Sequence, residues 1–283
     1  GRLQTTPKSA ILPGDGRYMM STLAVGSDGY TVLKTVGVYP DNAERGLPAT
    51  TGAILVLDAE TGVLRALLGA AWVTAVRTAA LSTVAARQMA DPASESIAFV
   101  GCGVQASSHL AAFRDFDPWQ TLSAEGRGRA KVDRFVAEAR ALGLDAQACE
   151  AEAAIRAADI VVSSITLNYE VEPFLDAGWM RPGAFAAITD LFIPWKDASA
   201  GAFGSIYVDD IEQERASPKP MVPADLIAGD LTDLATGSAF ERPGEAPCAF
   251  VFRGLALGDY AASVLALGRA EAAGVGQVIS PEG

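Results

Sequence analysis

Residues 101–106 read GCGVQA and directly follow an apolar run at residues 97–100, so the pattern GxGxxA stands in a strand–turn–helix context. In such a unit the first glycine permits a tight turn and the second lets the backbone approach a pyrophosphate, while the small last residue lets the helix pack on the strand. The pattern alone is weak evidence, but in this context it predicts a dinucleotide site. The predicted contacts are Gly101, Gly103, Val104 and Gln105.

An acidic residue beyond this motif indicates which dinucleotide binds. Glu125 ends the next predicted strand and can accept hydrogen bonds from ribose hydroxyls, whereas it would repel a 2′-phosphate. Arg127 and Arg129 follow closely and could instead clamp that phosphate. The sequence therefore favours NAD and leaves NADP possible, with Glu125 and Arg127 as cofactor-binding candidates.

The chain has a single histidine, His109, so a histidine metal site or a Ser-His-Asp triad would depend on that residue alone. Its place on the helix after the glycine turn favours a packed side chain. The acidic residues between 209 and 214 precede Arg215, which favours a solvated face over a divalent-ion site. Three widely spaced cysteines without a CxxC motif argue against a disulfide framework. We therefore predict no metal.

Composition excludes several classes of protein. The protein has 283 residues, 50% of them hydrophobic, and a formal net charge of -12. These values exclude intrinsic disorder, and the length favours two domains. There is no basic cluster for nucleic-acid binding. No apolar run approaches the roughly 20 residues of a membrane span, and the first residues lack a signal-peptide core. We therefore expect no membrane association and a cytoplasmic location.

The elements that must position these residues fall into two parts. Up to residue 90, apolar and polar residues alternate between turn signals, and an alanine-rich stretch with helical spacing follows. This pattern predicts an α+β domain over residues 1–90. Its expected elements are antiparallel strands at 18–23, 31–39, 53–58 and 63–68 and a helix at 71–89.

After Asp91 and Pro92, which end that helix, strands and helices alternate. Alternation of this kind predicts βαβ units, and hence an α/β fold with a Rossmann-type doubly wound parallel sheet over residues 91–258. A helix in the tail, residues 259–283, could return to the first domain or cover the sheet, and we assign it to the first domain. The other expected elements are strands at 96–100, 121–124, 145–149, 160–165, 184–188 and 205–208 and helices at 104–116, 129–142 and 150–157.

Several segments resemble those of the ornithine cyclodeaminase/mu-crystallin family. The most specific is VTAVRTAA at residues 73–80, followed closely by GCGVQA at 101–106. The resemblance implies a dinucleotide-binding domain joined to an N-terminal domain whose sheet pairs across a homodimer. Other matching segments are residues 34–36, 40–42, 46–48, 57–62 and 158–161, and residues 251–252 followed by Asp259.

Members of that family cyclise ornithine with loss of ammonia, reduce imines and ketimines of 2-oxo acids with a nicotinamide, or interconvert an amino acid and its 2-oxo acid. They usually begin with a helical segment that has no counterpart in this sequence. The resemblance therefore implies that the native chain starts before Gly1.

The resemblance also implies cationic residues around a substrate carboxylate. Lys34 and Arg77 match two such positions, and Lys8 is the nearest match to a third, which is usually arginine. An arginine can fix a carboxylate bidentately, and a lysine among cations has a lowered pKa and can transfer a proton. Lys34 stands in an apolar run, where a charge is costly unless it is paired or functional. We predict Lys34 and Arg77 as catalytic and substrate-binding residues and Lys8 as substrate-binding.

The segment around Asp190 departs from the cyclodeaminases of the family, which carry an acid in a DxPGK-like motif. Aligned on Pro194 and Lys196, that position is Phe192, whose ring cannot take a proton. Cyclodeamination is therefore disfavoured unless Asp190, at the end of a predicted strand, has taken over the role. Asp190 is predicted to be catalytic or to contact the cofactor, and Phe192 and Trp195 are expected to narrow the substrate pocket.

Thr50 or Thr51, and Thr166, resemble cofactor contacts of the family, although their hydroxyls serve equally well as turn caps or strand residues. Gly254 and Leu255 match a position where the chain passes close to the nicotinamide ring, and Ser163 and Ser164 end a predicted strand near the expected nicotinamide edge. The cofactor candidates are Thr50, Ser164, Thr166 and Gly254, and the substrate candidate is Leu255.

The resemblance and the residues together predict an NAD(P)H-dependent reductase of a small imino acid, ketimine or 2-oxo acid, with hydride delivered to C2 and an amino acid as product. Arg17 and Arg45 leave a dicarboxylate substrate open. The alternatives are an ornithine-type cyclodeaminase and a non-catalytic ligand-binding protein similar to mu-crystallin.

Overall fold

The computed structural model describes residues 3–114, 119–236 and 240–278. These residues form two compact units. The first unit runs to Arg77 and resumes at Gly254, and the second unit extends from Thr78 to Arg253. Within the described residues, no helix has the length and apolar character needed to cross a membrane.

The boundary between the units lies inside helix α1, Ala70–Met89, and not near Asp91 as the sequence analysis suggests. The helical pattern continues unbroken through Arg77, so the sequence marks a boundary only where the helix ends. The C-terminal return also begins earlier than the expected residue 259, at Gly254. The last helix, α7 (Ala256–Ala273), belongs to the first unit, and residues 279–283 lie outside the described part of the chain.

The first unit is built on an antiparallel sheet with the strand order β1-β3-β4-β5-β6, in which β2 also pairs with β3. Turn residues such as Gly29, with φ +94°, let consecutive strands reverse. The strands are β1 (Leu3–Thr5), β2 (Ser9–Ile11), β3 (Tyr18–Gly26), β4 (Tyr30–Val38), β5 (Thr50–Asp58) and β6 (Leu64–Gly69).

Helix α7 packs on one face of this sheet. Because side chains alternate along a strand, Val32, Lys34 and Val36 of β4 all point to the same buried face. Apolar residues of β3, β5 and α7 complete the core there, with Tyr260 and Leu267 contributed by the helix. Lys34 is thus a charged residue in the core of the first unit.

The second unit contains a parallel sheet with the order β13-β12-β14-β11-β10-β7-β8-β9. The strands are β7 (Ser96–Val100), β8 (Thr121–Glu125), β9 (Asp145–Ala148), β10 (Ile160–Ser163), β11 (Phe185–Ile188), β12 (Ser205–Val208), β13 (Ile227–Asp230) and β14 (Cys248–Val251). The helices are α2 (Val104–Arg114), α3 (Arg129–Ala141), α4 (Ala151–Ala157), α5 (Ile211–Arg215) and α6 (Leu231–Thr236).

This strand order confirms the predicted α/β fold. The chain moves outward from β7 to β9 and then returns to the other side of β7 with β10, so the order reverses between β7 and β10. In open α/β sheets, ligands bind in the crevice at such a reversal, beyond the carboxyl ends of the strands. The loops that follow β7 and β10 therefore define the place to search for a cofactor site.

His109 on α2 is fully buried, as its sequence position suggests. Its Nδ1 lies 2.8 Å from the Gln105 carbonyl oxygen and its Nε2 lies 3.0 Å from Ser82 Oγ. Because a carbonyl oxygen can only accept, Nδ1 carries the proton and Nε2 accepts from Ser82. Burial lowers the pKa of His109 to about 4, and the hydrogen bond to Gln105 partly opposes this shift.

Acid is expected to destabilise the protein through His109. The unfolded chain takes up a proton near pH 6.5 and the folded chain only near pH 4, so stability is lost as pH falls through this window. The shift corresponds to about 3 kcal/mol. The measurement is urea denaturation of wild type and His109→Asn from pH 4 to 7. The variant keeps one donor and one acceptor, and the difference between the two curves should widen towards neutral pH. A constant difference would contradict the prediction.

Candidate active site

The turn after β7 brings the backbone of Gly101 against Ser164, the residue that follows β10. Gly101 has φ +96°, and a Cβ there would lie 2.7 Å from the Ser164 carbonyl oxygen. The Ser164 N–H donates to the Val100 carbonyl at 2.8 Å, and its hydroxyl donates to the Gly101 carbonyl at 3.3 Å. Glycine is required here both by the backbone angle and by this close approach. The two predicted cofactor residues thus meet at the sheet's reversal point.

The start of α2 fits a bound dinucleotide. Gly103 has open space where a Cβ would stand, and Val104 is 70% exposed, so the first N–H groups of the helix can be reached. Ala106 is fully buried, which lets the helix pack closely on the sheet. The side-chain oxygen of Gln105 is buried and has no hydrogen-bond partner in the described part of the chain. The N–H groups at the start of α2 can bind a pyrophosphate, and the Gln105 side-chain oxygen can accept a hydrogen bond from a ribose hydroxyl. Both features suit a dinucleotide.

Glu125 ends β8, in register with the end of β7, and its main chain supports the glycine turn. Its carbonyl oxygen accepts hydrogen bonds from the Gly101 N–H at 2.9 Å and from the Cys102 thiol at 3.2 Å. Its side chain is half-buried, and this burial, together with nearby Glu150, raises the pKa of the carboxyl, whereas Arg127 lowers it. A half-buried carboxyl beside the turn fits ribose hydroxyls better than a 2′-phosphate.

Of the arginines that could bind a 2′-phosphate, one has another partner. Arg129 is exposed and forms an ion pair with Asp133, 2.9 Å away and one turn further along α3. Arg127 is exposed and acts electrostatically on Glu125. Arg127 therefore stays the stronger candidate for the cofactor.

Asp190, at the end of β11, is fully buried. Its Oδ1 accepts from the Ser163 hydroxyl at 3.0 Å, and its Oδ2 accepts from the Ile165 N–H at 3.1 Å. Burial raises the pKa of Asp190 to about 7, and these hydrogen bonds limit the increase. In this structure the carboxyl holds the loop after β10, and its catalytic role stays a prediction.

Phe192 and Trp195 pack in the core of the second unit, where they are 3% and 0% exposed, so the expectation that they line the substrate pocket is wrong. Their rings stack with centroids 6.0 Å apart, and Phe203 packs against both. The Trp195 N–H donates to Ser163 Oγ at 3.0 Å. The sequence misled because aromatic residues after a strand can serve a pocket or a core equally well.

A cluster of buried charges occupies the core of the first unit. Lys34 and Arg77 are 1% and 5% exposed, and both lie close to Asp259, which is 1% exposed. Lys34 Nζ donates to Asp259 Oδ1 at 2.6 Å, and Arg77 Nε lies 3.1 Å from the same oxygen. Thr22, the cross-strand neighbour of Lys34, donates its hydroxyl to Asp259 Oδ2 at 2.8 Å. The cluster contains two cations and one anion.

The pKa values in this cluster follow from burial and from the neighbouring charges. Burial and, to a smaller extent, Arg77 lower the pKa of Lys34, Asp259 opposes both effects, and the resulting pKa is about 8. For Asp259, burial acts to raise the pKa, but Arg77, Lys34 and the hydrogen bonds outweigh it, so the net pKa is lowered. Lys34 is therefore a protonated donor that can lose its proton near neutral pH, beside a carboxylate that stays ionised.

A comparison with models of protein families identifies the family of this chain. The model of the ornithine cyclodeaminase/mu-crystallin family matches residues 1–242, most of the chain. The chain belongs to this family. The resemblance drawn from residues 73–80 and 101–106 is thereby confirmed.

Within the family, the chain is 29% identical over 246 residues to Delta(1)-pyrroline-2-carboxylate reductase of Paracoccus denitrificans, covering 82% of this chain and 77% of that protein. Two solved structures share the fold. Delta(1)-pyrroline-2-carboxylate reductase of Thermococcus litoralis, in complex with NADH and L-proline, has a TM-score of 0.87 at 22% identity, covering 98% of this chain and 90% of that one. An archaeal alanine dehydrogenase dimer with bound NAD has a TM-score of 0.86 at 24% identity, with coverages of 99% and 89%.

The first unit also contains the predicted cofactor contact Gly254 and the predicted substrate contacts Leu255 and Lys8. Gly254 has φ +111°, and a Cβ there would lie 3.2 Å from Arg77 Nη1, so this glycine makes room for the guanidinium. Leu255 is half-buried and immediately precedes α7. Lys8 is half-buried, with its ammonium 5.6 Å from the centre of the Tyr18 ring.

The two predicted threonines lie on different elements. Thr50 opens β5, opposite Val38 of β4, in the first unit. Thr166 is exposed in the loop that follows β10 in the second unit. Thr166 lies in the same loop as Ser164, and the cofactor contacts of both threonines stay predictions.

Two of the four acidic residues between 209 and 214 do not belong to the solvated face that the sequence predicts, whereas Glu212 is exposed. Asp209 and Glu214 are each 2% exposed. Asp209 accepts the Arg253 N–H at 3.1 Å, and Glu214 accepts two hydrogen bonds from the Arg253 guanidinium at 2.9 and 2.7 Å. Glu214 also accepts the Met221 N–H. These acids fix loops at the carboxyl ends of β12 and β14, which alternating charges in a sequence do not reveal.

Asp259 is the member of the charged cluster that the sequence did not single out as a candidate. It appears in the sequence only as the end of a matching segment, although a usable signal was present. An acid in the otherwise uncharged stretch of residues 255–267 must find cationic partners when that stretch packs on a sheet. Lys34, equally isolated in an apolar strand, is the partner that this reasoning would have required.

Proposed function

We propose that the protein is an NAD(P)H-dependent reductase of a small imino acid, ketimine or 2-oxo acid, with an amino acid as its product. The observation that carries this proposal is the buried cluster of Lys34, Arg77 and Asp259. Lys34 Nζ and Arg77 Nε lie 2.6 and 3.1 Å from the same Asp259 oxygen, so a buried ammonium and a buried guanidinium stand side by side. Groups of these two types bind carboxylates, and a carboxylate is common to the proposed substrates.

The second unit supports a cofactor role. Gly101, Gly103 and the first N–H groups of α2 would hold the pyrophosphate, and Glu125 would bind the ribose hydroxyls, which favours NAD. Ser164 and Thr166 lie on the neighbouring loop. When bound in its reduced form, the dinucleotide supplies a hydride for C2 of the substrate.

The first unit supplies the substrate chemistry. The Arg77 guanidinium would bind the carboxylate bidentately and fix the orientation of C2, with Lys8 as a further cation. Lys34 Nζ would donate the proton that the product nitrogen requires, and a 2-oxo acid would reach this step after condensing with an amine and losing water. A pKa of about 8 leaves Lys34 protonated at neutral pH yet able to release the proton. Asp259 keeps Lys34 in place and favours its charged form.

The proposal is tested by following NADH and NADPH oxidation with a panel of 2-oxo acids, with and without ammonia or methylamine, with cyclic ketimines, and with ornithine. Oxidation that requires an amine or a cyclic ketimine is expected. Arg77→Ala should abolish turnover and leave dinucleotide affinity unchanged, whereas Arg269→Ala, on the exposed side of α7, should do neither. Ornithine consumption without net NADH change would establish cyclodeamination instead. Absence of turnover with dinucleotide still bound would favour a ligand-binding role.

We also propose that the protein forms a homodimer through its first unit. Strand β6 lies at the edge of the antiparallel sheet, where its outer backbone groups can pair with another strand. It exposes Leu64 and Leu67, and α1, which follows it directly, exposes Trp72 and Val76. The archaeal alanine dehydrogenase with the same fold is a dimer, which supports a second copy as the occupant.

The dimer is tested by light scattering after size-exclusion chromatography. Leu67→Glu is expected to give a monomer, because it places a charge in the apolar surface. Phe174→Glu serves as the control, because Phe174 is also an exposed apolar residue but belongs to the second unit. This variant should have the same molecular mass in solution as wild type. A monomeric wild-type protein would refute the proposal.

A cytoplasmic location of the protein stays a prediction.

A further inference from the structure

The carboxyl of Asp190 connects two loops at the carboxyl edge of the parallel sheet. It follows β11, yet both of its hydrogen-bond donors belong to the end of β10: the Ser163 hydroxyl at 3.0 Å and the Ile165 N–H at 3.1 Å. Ser163 is itself fixed by the Trp195 N–H at 3.0 Å. A chain of hydrogen bonds therefore runs from a core tryptophan, through Ser163, to Asp190.

The segment that Asp190 holds is the one that touches the glycine turn. The Ile165 N–H donates a hydrogen bond to Asp190. The carbonyl of the preceding residue, Ser164, lies so close to Gly101 that only a glycine fits at position 101. The Ser164 hydroxyl also donates to the Gly101 carbonyl. A change in the position of Ile165 must therefore move Ser164 against the turn that the cofactor uses.

The backbone after Asp190 is held in an unfavourable conformation. Leu191 and Phe192 have φ of +60° and +64°, a left-handed region that costs non-glycine residues roughly 1 kcal/mol each. Phe192 is kept there by packing against Trp195 and Phe203. Strain of this kind persists where the surroundings determine the backbone, and here it directs Asp190 towards the loop after β10.

We propose that Asp190 is a positioning residue that, through Ile165 and Ser164, holds the loop after β10 against the Gly101 turn and so sets the affinity for the dinucleotide. The proposal rests on the proposed cofactor role of the second unit. Asp190 does not act as the substrate's acid, because both of its oxygens are occupied within the fold and the residue is fully buried.

The hold exerted by Asp190 depends on its ionisation. Burial raises its pKa to about 7, opposed by the Ile165 amide and the Ser163 hydroxyl, and no charged side chain of the described residues contributes to that shift. An ionised carboxylate accepts both hydrogen bonds strongly, whereas a protonated one must use one oxygen as a donor. The affinity for dinucleotide should therefore increase as pH rises through 7.

Asp190→Asn tests the proposal because asparagine mimics the protonated acid. Wild type should bind NADH about threefold to tenfold more tightly at pH 8 than at pH 6, since charge-assisted hydrogen bonds are roughly twice as strong as neutral ones. The variant should bind with the weaker affinity at both pH values. Exchange of the Ile165 amide with deuterium, measured without cofactor, should be faster in the variant. Because the carboxyl no longer has to ionise in a buried site, the variant's Tm at pH 8 should be higher than that of wild type.

Two further variants make the test specific. Asp159→Asn changes a carboxyl at the other end of β10 that also accepts backbone N–H groups, from Glu95 and Ser96, and it should leave NADH affinity unchanged. Ser163→Ala removes one hydrogen-bond donor to Asp190 and should weaken NADH binding. It provides a second test in case the Asp190→Asn protein does not fold.

The outcomes separate the positioning role from other roles. Unchanged NADH affinity and unchanged Ile165 exchange in Asp190→Asn, with a lower kcat at saturating NADH, would overturn the proposal in favour of proton transfer. If wild type binds no dinucleotide, the proposed function has failed. In that case Ile165 exchange still tests the hold itself, and equal rates in both proteins would overturn it.

Discussion

Asp259→Asn is expected to reduce both activity and stability more than any other single substitution in the first unit. The change leaves the charges of Lys34 and Arg77 buried next to a neutral amide, and removing one partner of a buried ion pair costs about 3–5 kcal/mol. Lys34 also loses the group that favours its charged form, so its pKa should fall below 8. Because a poorly oriented guanidinium no longer fixes the substrate, kcat/KM should fall by about 100-fold or more.

Urea denaturation and steady-state kinetics measure the two effects. The matched control is Asp133→Asn, which removes the carboxylate of an exposed ion pair with Arg129. Exposed pairs of this kind contribute about 0–1 kcal/mol, so this variant should resemble wild type in stability and kcat/KM. An Asp259→Asn protein with wild-type stability would show that the three charges do not depend on one another, and the proposed role of the cluster would fall.

Much of the fold can be predicted from local sequence because its signals are local. The alternation of β4, the apolar run of β7 and the glycine turn each depend on neighbouring residues. Short central strands are harder to predict. β14, with four buried residues, lies between β11 and β12 in the sheet, yet nothing in the sequence of Cys248–Val251 gives its partners. The unit boundary within α1 was missed for a related reason, since a continuous helix leaves no trace of where packing changes.

The site shows the same limit at the level of single side chains. Residue type and motif point to Lys34 and Arg77, but not to the carboxylate that joins them, because Asp259 lies more than 180 positions away in the chain. Asp190 illustrates the reverse case. Its position at a strand end suggests catalysis, whereas its burial and its hydrogen bond to Ile165 support the positioning role that we propose. Asp259 is hard to assign because its partners are far away in the sequence. The role of Asp190 is hard to assign because a sequence does not show that its carboxyl is buried.

Lys34→Met is expected to remove activity while preserving the fold, in contrast to Asp259→Asn. Methionine replaces the lysine stem in the apolar face of β4 and leaves Arg77 and Asp259 as one cation with one anion. A lowered pKa means that protonated Lys34 destabilises the folded state below pH 8, a cost that shrinks as pH rises from 8 towards 10.5. The variant should therefore be at least as stable as wild type at pH 7.

The loss of activity should carry the signature of a missing acid. In wild type, kcat/KM for reduction is expected to fall above pH 8 as Lys34 loses its proton, and in Lys34→Met it should be lower by about 10²–10⁴ and lack this decline. Dinucleotide affinity serves as the internal control, because Lys34 is not among the residues predicted to bind the dinucleotide. If the variant retained the decline above pH 8, another group would be the proton donor. If Lys34→Met keeps the stability of wild type and loses activity, the buried lysine is required for catalysis and does not stabilise the fold.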